Sequence, residues 1–397
     1  MKRIGIMTLY YNNNNYGGIA QAYALAEYLI EKGFDAEIIS YRRTPRKKIS
    51  RLEQIKANGM KEYIKEHSEG FCEKVVNKFL AMPLKRILAK KYEPLFKQRT
   101  TSFERSRENI PHTEKVYDEN NVELLASEYD VFLTGSDQVW KPGVIQGAYV
   151  WDFLSHEEEK KCLSYASSIA TTVYPDWYLD YMRKHLKKFE WISVREKTAQ
   201  EYLKQITGKD VSCVLDPTFL LDDDKWLNLA SERIINERYI FAYFLGNSIW
   251  QRKKVKQLAK ATGRKIVTLP HLGSEIRLCD CCFGDFNLYD VTLNDFLSLI
   301  LFADCVVTDS FHAVVFSNIF KKDFWVFERK ILEKKERMGS RIDDLLTMLN
   351  EMERKVDKKW NPKRNVDFKT IDFKKVKHIV DREKMLSEIK FLDALSD

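Results

Sequence analysis

The chain holds no apolar run approaching the ~18 residues of a membrane-spanning helix. Met1-Lys2-Arg3 leads into a short apolar strand with no signal-peptide cleavage site. Both absences point to a cytoplasmic protein. Nine prolines and fifteen glycines are few for 397 residues, and nowhere do they gather into a linker, so no low-complexity spacer divides the chain. The seven cysteines are an odd number, which fits reduced thiols rather than a disulfide framework. No period of about 20 to 50 residues recurs. The absence of a Walker loop, of HExxH and of GxSxG removes the P-loop NTPases, the zincins and the α/β-hydrolases.

What is present is a soluble, core-forming composition, 44% apolar and 31% charged, at a length that suits two domains. The net charge of +8 is unevenly placed. Arg42 to Arg99 carries 17 basic and six acidic residues, a local +11, and Arg354 to Asp397 carries 13 against eight, so the remaining body is about −8. Leu80, Leu84, Ile87, Leu88 and Leu95 follow helical spacing, with Lys85, Arg86, Lys90 and Lys91 between them. This segment is either a solvated helical insertion or a basic amphipathic surface for an anionic membrane or a lipid-linked phosphate. It contains no nucleic-acid-binding module, and no nucleic acid partner is expected.

Periodicity predicts an α/β chain. Ile4–Leu9 reads as a strand, the Asn-rich residues and Tyr16-Gly17-Gly18 as a loop, a pattern through Gln21, Leu25, Leu29 and Ile30 as a helix stopped by Gly33, and Ala36–Ser40 as the next strand, one βαβ unit. Strands at 129–134, 162–166, 191–194 and 211–215, with helices at 180–189 and 197–205, complete a first half. A break falls between about 222 and 238, within the usual error of such boundaries. A second series follows, with strands at 239–245, 265–269 and 305–308 and helices at 250–263, 293–303 and 313–320. Two βα sheets facing a cleft are expected, with basic helices of uncertain docking after Arg354.

Loops after strand ends are where such sheets bind ligands. Asn15-Tyr16-Gly17-Gly18 with Gln21 offers amides and a helix N-terminus to a sugar hydroxyl or an anion, or is a plain capped turn. Ser136, Asp137, Gln138 and Trp140 put a carboxylate, an amide and an indole in one loop, as carbohydrate sites do; alternatively Asp137 caps a helix and Trp140 fills the core. Arg195 ends a strand, where a guanidinium suits phosphate or carboxylate, or a surface ion pair. His312 opens a helix after the strand 305–308, placed for proton exchange or simply bonded to a carbonyl. Cys279-Asp280-Cys281-Cys282 lacks zinc-knuckle spacing, and no metal is expected.

Six pieces in order resemble the polysaccharide pyruvyl transferase family: Asn15–Gly18 with Gln21–Leu25, Gly135–Trp140, Ser164–Ser168, Ser193–Glu196, Leu215–Thr218 and Thr308–His312. The resemblance implies a GT-B-like fold of two Rossmann-like domains facing a cleft. Residues 1–222 would form the acceptor side, with the helical insertion at about 42–110; residues 238–350 would form the donor side, and 351–397 a basic helical tail. It implies phosphoenolpyruvate as donor, a saccharide, possible in lipid-linked form, as acceptor, and no cofactor. His312 would be the acid/base residue, Arg195, Ser310 and Arg341 would face the donor, and Asn15, Tyr16, Gly17, Gln21, Ser136, Asp137, Gln138 and Trp140 the acceptor. The family's Arg two residues before the His is Ser310 here, a missing cation for which Arg341, Arg277 or His271 is a replacement. A GT-B glycosyltransferase using a nucleotide sugar and a non-catalytic glycan-binding protein are the rival readings.

Overall fold

The structure is a computed structural model. It describes residues 2–44, 82–155, 160–171, 174–271, 277, 279–280, 283–329, 340–364, 367–368 and 370–396, with backbone alone for 82–91, 176 and 340. Most of the basic insertion, and Cys281 and Cys282, lie outside these residues.

The first sheet is built from β1 (Arg3–Met7), β2 (Asp35–Ile38), β3 (Val131–Thr134), β4 (Lys161–Ser164), β5 (Phe189–Val194) and β6 (Val211–Cys213). The order is β2-β1-β3-β4-β5-β6, and every pairing is parallel. The second sheet uses β7 (Tyr239–Tyr243), β8 (Lys265–Thr268), β9 (Phe286–Asn287), β10 (Cys305–Thr308), β11 (Phe324–Phe327) and β12 (Lys355–Val356), in the parallel order β12-β11-β10-β7-β8-β9. Central strands such as Val131–Thr134 and Cys305–Thr308 are buried throughout, because helices cover both faces of a parallel sheet. Each sheet reverses its winding once, between β1 and β3 and between β7 and β10. Crevices open at those points, beyond the strands' carboxyl ends. This is the two-domain α/β architecture expected from the sequence.

Helix α1 (Tyr16–Glu31) starts where Asn15 accepts hydrogen bonds from the amides of Gly17 and Gly18. Helix α2 (Met82–Arg107) is the described end of the insertion, and it docks on the second domain. Arg99 donates to the carbonyls of Leu288 and Tyr289 at 2.8 and 2.7 Å. The segment read as a tail belongs to both domains. β12 completes the second sheet, and α10 (Phe373–Ser396) returns to the first, where Phe391 packs on Tyr165, Tyr28 and Trp191. Between them run α3 (Asp176–His185), α4 (Lys197–Thr207), α5 (Asp223–Leu229), α6 (Ile249–Thr262), α7 (Leu293–Leu301), α8 (Phe311–Ile319) and α9 (Ser340–Leu349). Among the described residues no helix is long and apolar enough to cross a membrane.

Candidate functional site

The carboxyl ends of both sheets meet at one seam. From the first domain, Arg195 leaves β5 with its side chain 1% exposed and donates from Nη1 to Asp216 Oδ2 at 2.6 Å. Its Nη2 lies 3.4 Å from Asp137 Oδ1, and Ser136 Oγ is at the limit of hydrogen bonding, 3.5 Å from Nη1. The guanidinium sits 4.6 Å over the ring of Phe311, the first residue of α8 in the second domain. Asp216, in the loop after β6, also accepts from the amide and hydroxyl of Thr218 at 3.1 and 2.7 Å. Burial opposes its charge, but His312, Arg195 and Thr218 together outweigh that and hold its carboxyl well below the usual range.

His312 stands in the first turn of α8, with Nε2 3.6 Å from Asp216 Oδ2 and no partner at hydrogen-bond distance. The ring lies directly on Gly17 of α1. A Cβ there would fall 2.0 Å from Nδ1, so glycine is required at that contact. Ser310 precedes the helix as its N-cap residue, its amide bonded to Thr308 Oγ1 at 3.0 Å.

A second group of charges borders the first. Glu196, buried, accepts from Ser168 Oγ and lies 4.0 Å from Arg341 Nε. Burial raises its carboxyl against the pull of Arg195 and Arg341. Burial, with repulsion from Arg195, pushes Arg341 down to about 10, a cation short of counter-charge. Arg341 lines a small pocket with Asp309, Phe311 and Arg329. At the second sheet's switch point Asp309 takes the amides of Leu245 and Gly246 at 2.7 and 2.8 Å. A Cβ at Gly246 would come within 2.7 Å of that carboxylate. Arg329 leaves β11 and donates to the Asp309 carbonyl at 2.9 Å. The Nε atoms of Arg195, Arg329 and Arg341 are buried without hydrogen-bond partners, which costs free energy unless an acceptor arrives.

A wider cavity of about 360 Å³ opens at the first sheet's switch point, lined by Tyr11, Asn12, Arg42, Arg43, Gly143 and Gln146 among others. The two loops that wall it also build the seam. The loop after β1 runs on to Gly17 beneath His312, and the loop after β3 passes through Ser136 and Asp137. Asp137 adopts φ of 71°, a left-handed conformation uncommon for a non-glycine residue.

The structure therefore brings His312, Arg195, Ser310, Ser136, Asp137 and Gly17 together, with Arg341 beside them, Asn15 capping α1 and Gln138 partly exposed in its loop. Five acceptor expectations are corrected: Ser136 is fully buried with its hydroxyl bonded to Asp216, and Gly17 is covered by the His312 ring. Trp140 is fully buried, with Nε1 donating to the Tyr149 carbonyl at 3.0 Å and its ring against Phe189, so its face is closed to a sugar. Gln21 is buried and ties Thr8 Oγ1 to the Gly18 carbonyl. Tyr16 is buried between the domains, stacked on Phe296 and bonded to the Val291 carbonyl at 2.9 Å. Of the replacements for the missing cation, Arg277 donates to the Leu245 carbonyl at the switch point. His271 is pushed down to about 4 by burial and by Arg277, Arg99, Arg329 and Arg252, so it is neutral near pH 7 and supplies no charge. Asp216, Glu196 and Arg329 received no role from the sequence. Each stands at or just beyond a strand end, the signal that singled out Arg195. Among the described residues no three His, Cys, Asp or Glu side chains form a metal-binding group.

These features define a two-domain α/β protein whose interdomain seam holds a buried network of arginines and carboxylates in which three Nε atoms lack hydrogen-bond partners. The chain belongs to the polysaccharide pyruvyl transferase family, whose model matches residues 15–330, and so to a family of transferases. No curated protein matches it. Similar solved structures include the MnaA–UDP co-structure of S. aureus, 12% identical with a TM-score of 0.48 over 100% of this chain and 98% of that one. The UDP-GlcNAc 2-epimerase of Methanocaldococcus jannaschii is 9% identical, TM-score 0.48, over 96% and 92%. The wall teichoic acid polymerase TagF is 10% identical, TM-score 0.44, over 100% and 89%.

Proposed function

We propose that the protein transfers the pyruvyl group of phosphoenolpyruvate to a saccharide, forming a pyruvate ketal for a bacterial surface polysaccharide such as a capsule or exopolysaccharide. The observation that carries this reading is that the seam holds guanidinium Nε atoms of Arg195, Arg329 and Arg341, and the Nε2 of His312, all buried without hydrogen-bond partners. A dense anion and a proton-transfer step need those two kinds of group side by side. Protonation of the donor's methylene carbon makes C2 an oxocarbenium-like electrophile. One sugar hydroxyl then adds to C2 and loses its proton. The bond from C2 to the phosphate oxygen breaks, phosphate leaves, and a second hydroxyl closes the ketal. Arg341 and Arg329 face the departing phosphate, Arg195 and Ser310 flank it, and His312 exchanges the protons. The acceptor enters the wider cavity beside Arg42 and Gln146, on the side of Asp137. No cofactor takes part. The basic insertion recruits the protein to the anionic inner membrane face, where a lipid-linked acceptor is presented.

The test is incubation with phosphoenolpyruvate and a broad panel of saccharides, reading phosphate release and product mass. A product heavier by one pyruvate less water supports the reading, and His312→Ala should then stay folded and lose turnover by orders of magnitude. Phosphate release from no acceptor, or transfer from a nucleotide sugar instead, rejects it.

A further inference from the structure

Asp216 combines two properties that a purely structural ion pair does not need. Its Oδ1 is fixed by Thr218 and its Oδ2 by Arg195 and, at 3.3 Å, Ser136, so the carboxylate cannot rotate. Yet Oδ2 also faces a histidine belonging to the other domain, across a gap of 3.6 Å that contains no hydrogen bond. The ring has little freedom to be elsewhere. Gly17 seats its Nδ1 side, Phe311 stands perpendicular to it at 5.2 Å between centroids, and the Nε2 edge is left toward Asp216. Among the described residues, the charged groups in contact at that edge are Asp216 and, through the same oxygen, Arg195. Asp137 reaches it only by way of Arg195.

We propose that Asp216 is the positioning residue for His312, an interdomain carboxylate that orients the imidazole and acts as its counter-ion whenever the ring carries a proton. A proton taken by His312 from a sugar hydroxyl creates an imidazolium next to the Arg195 cation. A carboxylate held rigid and ionised between the two cations offsets that repulsion at no cost in reorganisation. Asp216 itself does not exchange the proton, since its partners hold it too acidic to act as a base near neutral pH. The 3.6 Å separation leaves Nε2 free to take the substrate's proton while Asp216 acts across it as the counter-charge. The inference rests on the acid/base role given to His312 above.

The test uses the full-length protein. Asp216→Asn keeps the shape and, through its remaining oxygen, the Thr218 contacts. We expect kcat to fall at least 100-fold, KM for phosphoenolpyruvate to stay within threefold, and one limb of the pH–rate profile to move by a pH unit or more. Asp216→Glu should recover part of the rate. A folded Asp216→Asn protein with kcat within threefold of wild type, or with a superimposable pH profile, overturns the proposal. Because that variant also strands Arg195 and risks misfolding, Gly17→Ala disturbs the ring from its other side and leaves the Asp216–Arg195 pair intact. Ring ¹⁵N resonances of His312, assigned by their loss in His312→Ala, should shift in Gly17→Ala and in any folded Asp216 variant. Unmoved resonances overturn the proposal. If the wild-type protein turns over no acceptor, the functional reading fails, while the resonances still decide the role of Asp216.

Discussion

Trp140 and His312 were singled out by the same rule, a chemistry-bearing residue just past a buried strand, and they met opposite fates. Asp137 adopts a left-handed conformation, and just past it Val139 and Trp140 enter the core against Phe189 while Asp137 stays at the seam. A sequence states that an indole is near a strand end; it does not state which way the backbone will aim it. His312 faced no such ambiguity, because the first turn of a helix after β10 points its side chains toward the sheet's carboxyl edge. The buried position of Trp140 has a measurable consequence. Trp140→Ala should cost roughly 3–5 kcal/mol of unfolding free energy, the usual range for deleting a large buried aromatic, with KM for the acceptor unchanged in the folded fraction. Urea unfolding together with acceptor titration checks this; undiminished stability with a raised acceptor KM would return the indole to the binding site.

At the scale of elements, strands were legible because buried parallel strands are short apolar runs, whereas boundaries and docking were not. The helix expected at 180–189 begins earlier, at Asp176, where Pro175 occupies the N-cap position, and strand β5 claims Phe189. Helix α10 shows the larger limit. Its many lysines advertise a solvated tail, but Val376, Phe391 and Leu395 form a buried stripe, and Ser387 Oγ accepts from the Leu215 amide at 3.0 Å. Helical periodicity supplies an apolar face without naming its partner, and here the partner is the first domain, about 200 residues away in sequence. The helix therefore straps the second domain's end onto the first. Phe391→Ala opens a cavity among Tyr28, Tyr165 and Trp191 and should lower stability by about 3–5 kcal/mol. In urea, the first domain's tryptophan signal should move to a lower midpoint. An unchanged midpoint would mean that the strap contributes nothing to the fold.

Across the whole molecule, the charge that matters is local. The body outside the two basic segments is net acidic, yet Arg99, Arg252, Arg277 and Arg329 all act on one point at the second sheet's carboxyl end, His271, which burial and their combined field push down to about 4. Neither net charge nor motif spacing foretells this, because Arg99 arrives from the insertion helix and Arg329 from a strand end some 60 residues after the histidine. The sign of the consequence follows from linkage. Between pH 6.5 and about 4 the unfolded chain binds a proton at this side chain and the folded chain does not, so stability rises with pH across that window and is lost on acidification. One proton corresponds to about 1.4 kcal/mol per pH unit. His271→Asn removes that titration without adding a charge. Its unfolding free energy, measured by urea at a series of pH values from about 7 to 4.5, should therefore fall less steeply than that of wild type, by up to that slope. Curves that stay parallel would show that burial and the arginines together do not hold His271 neutral.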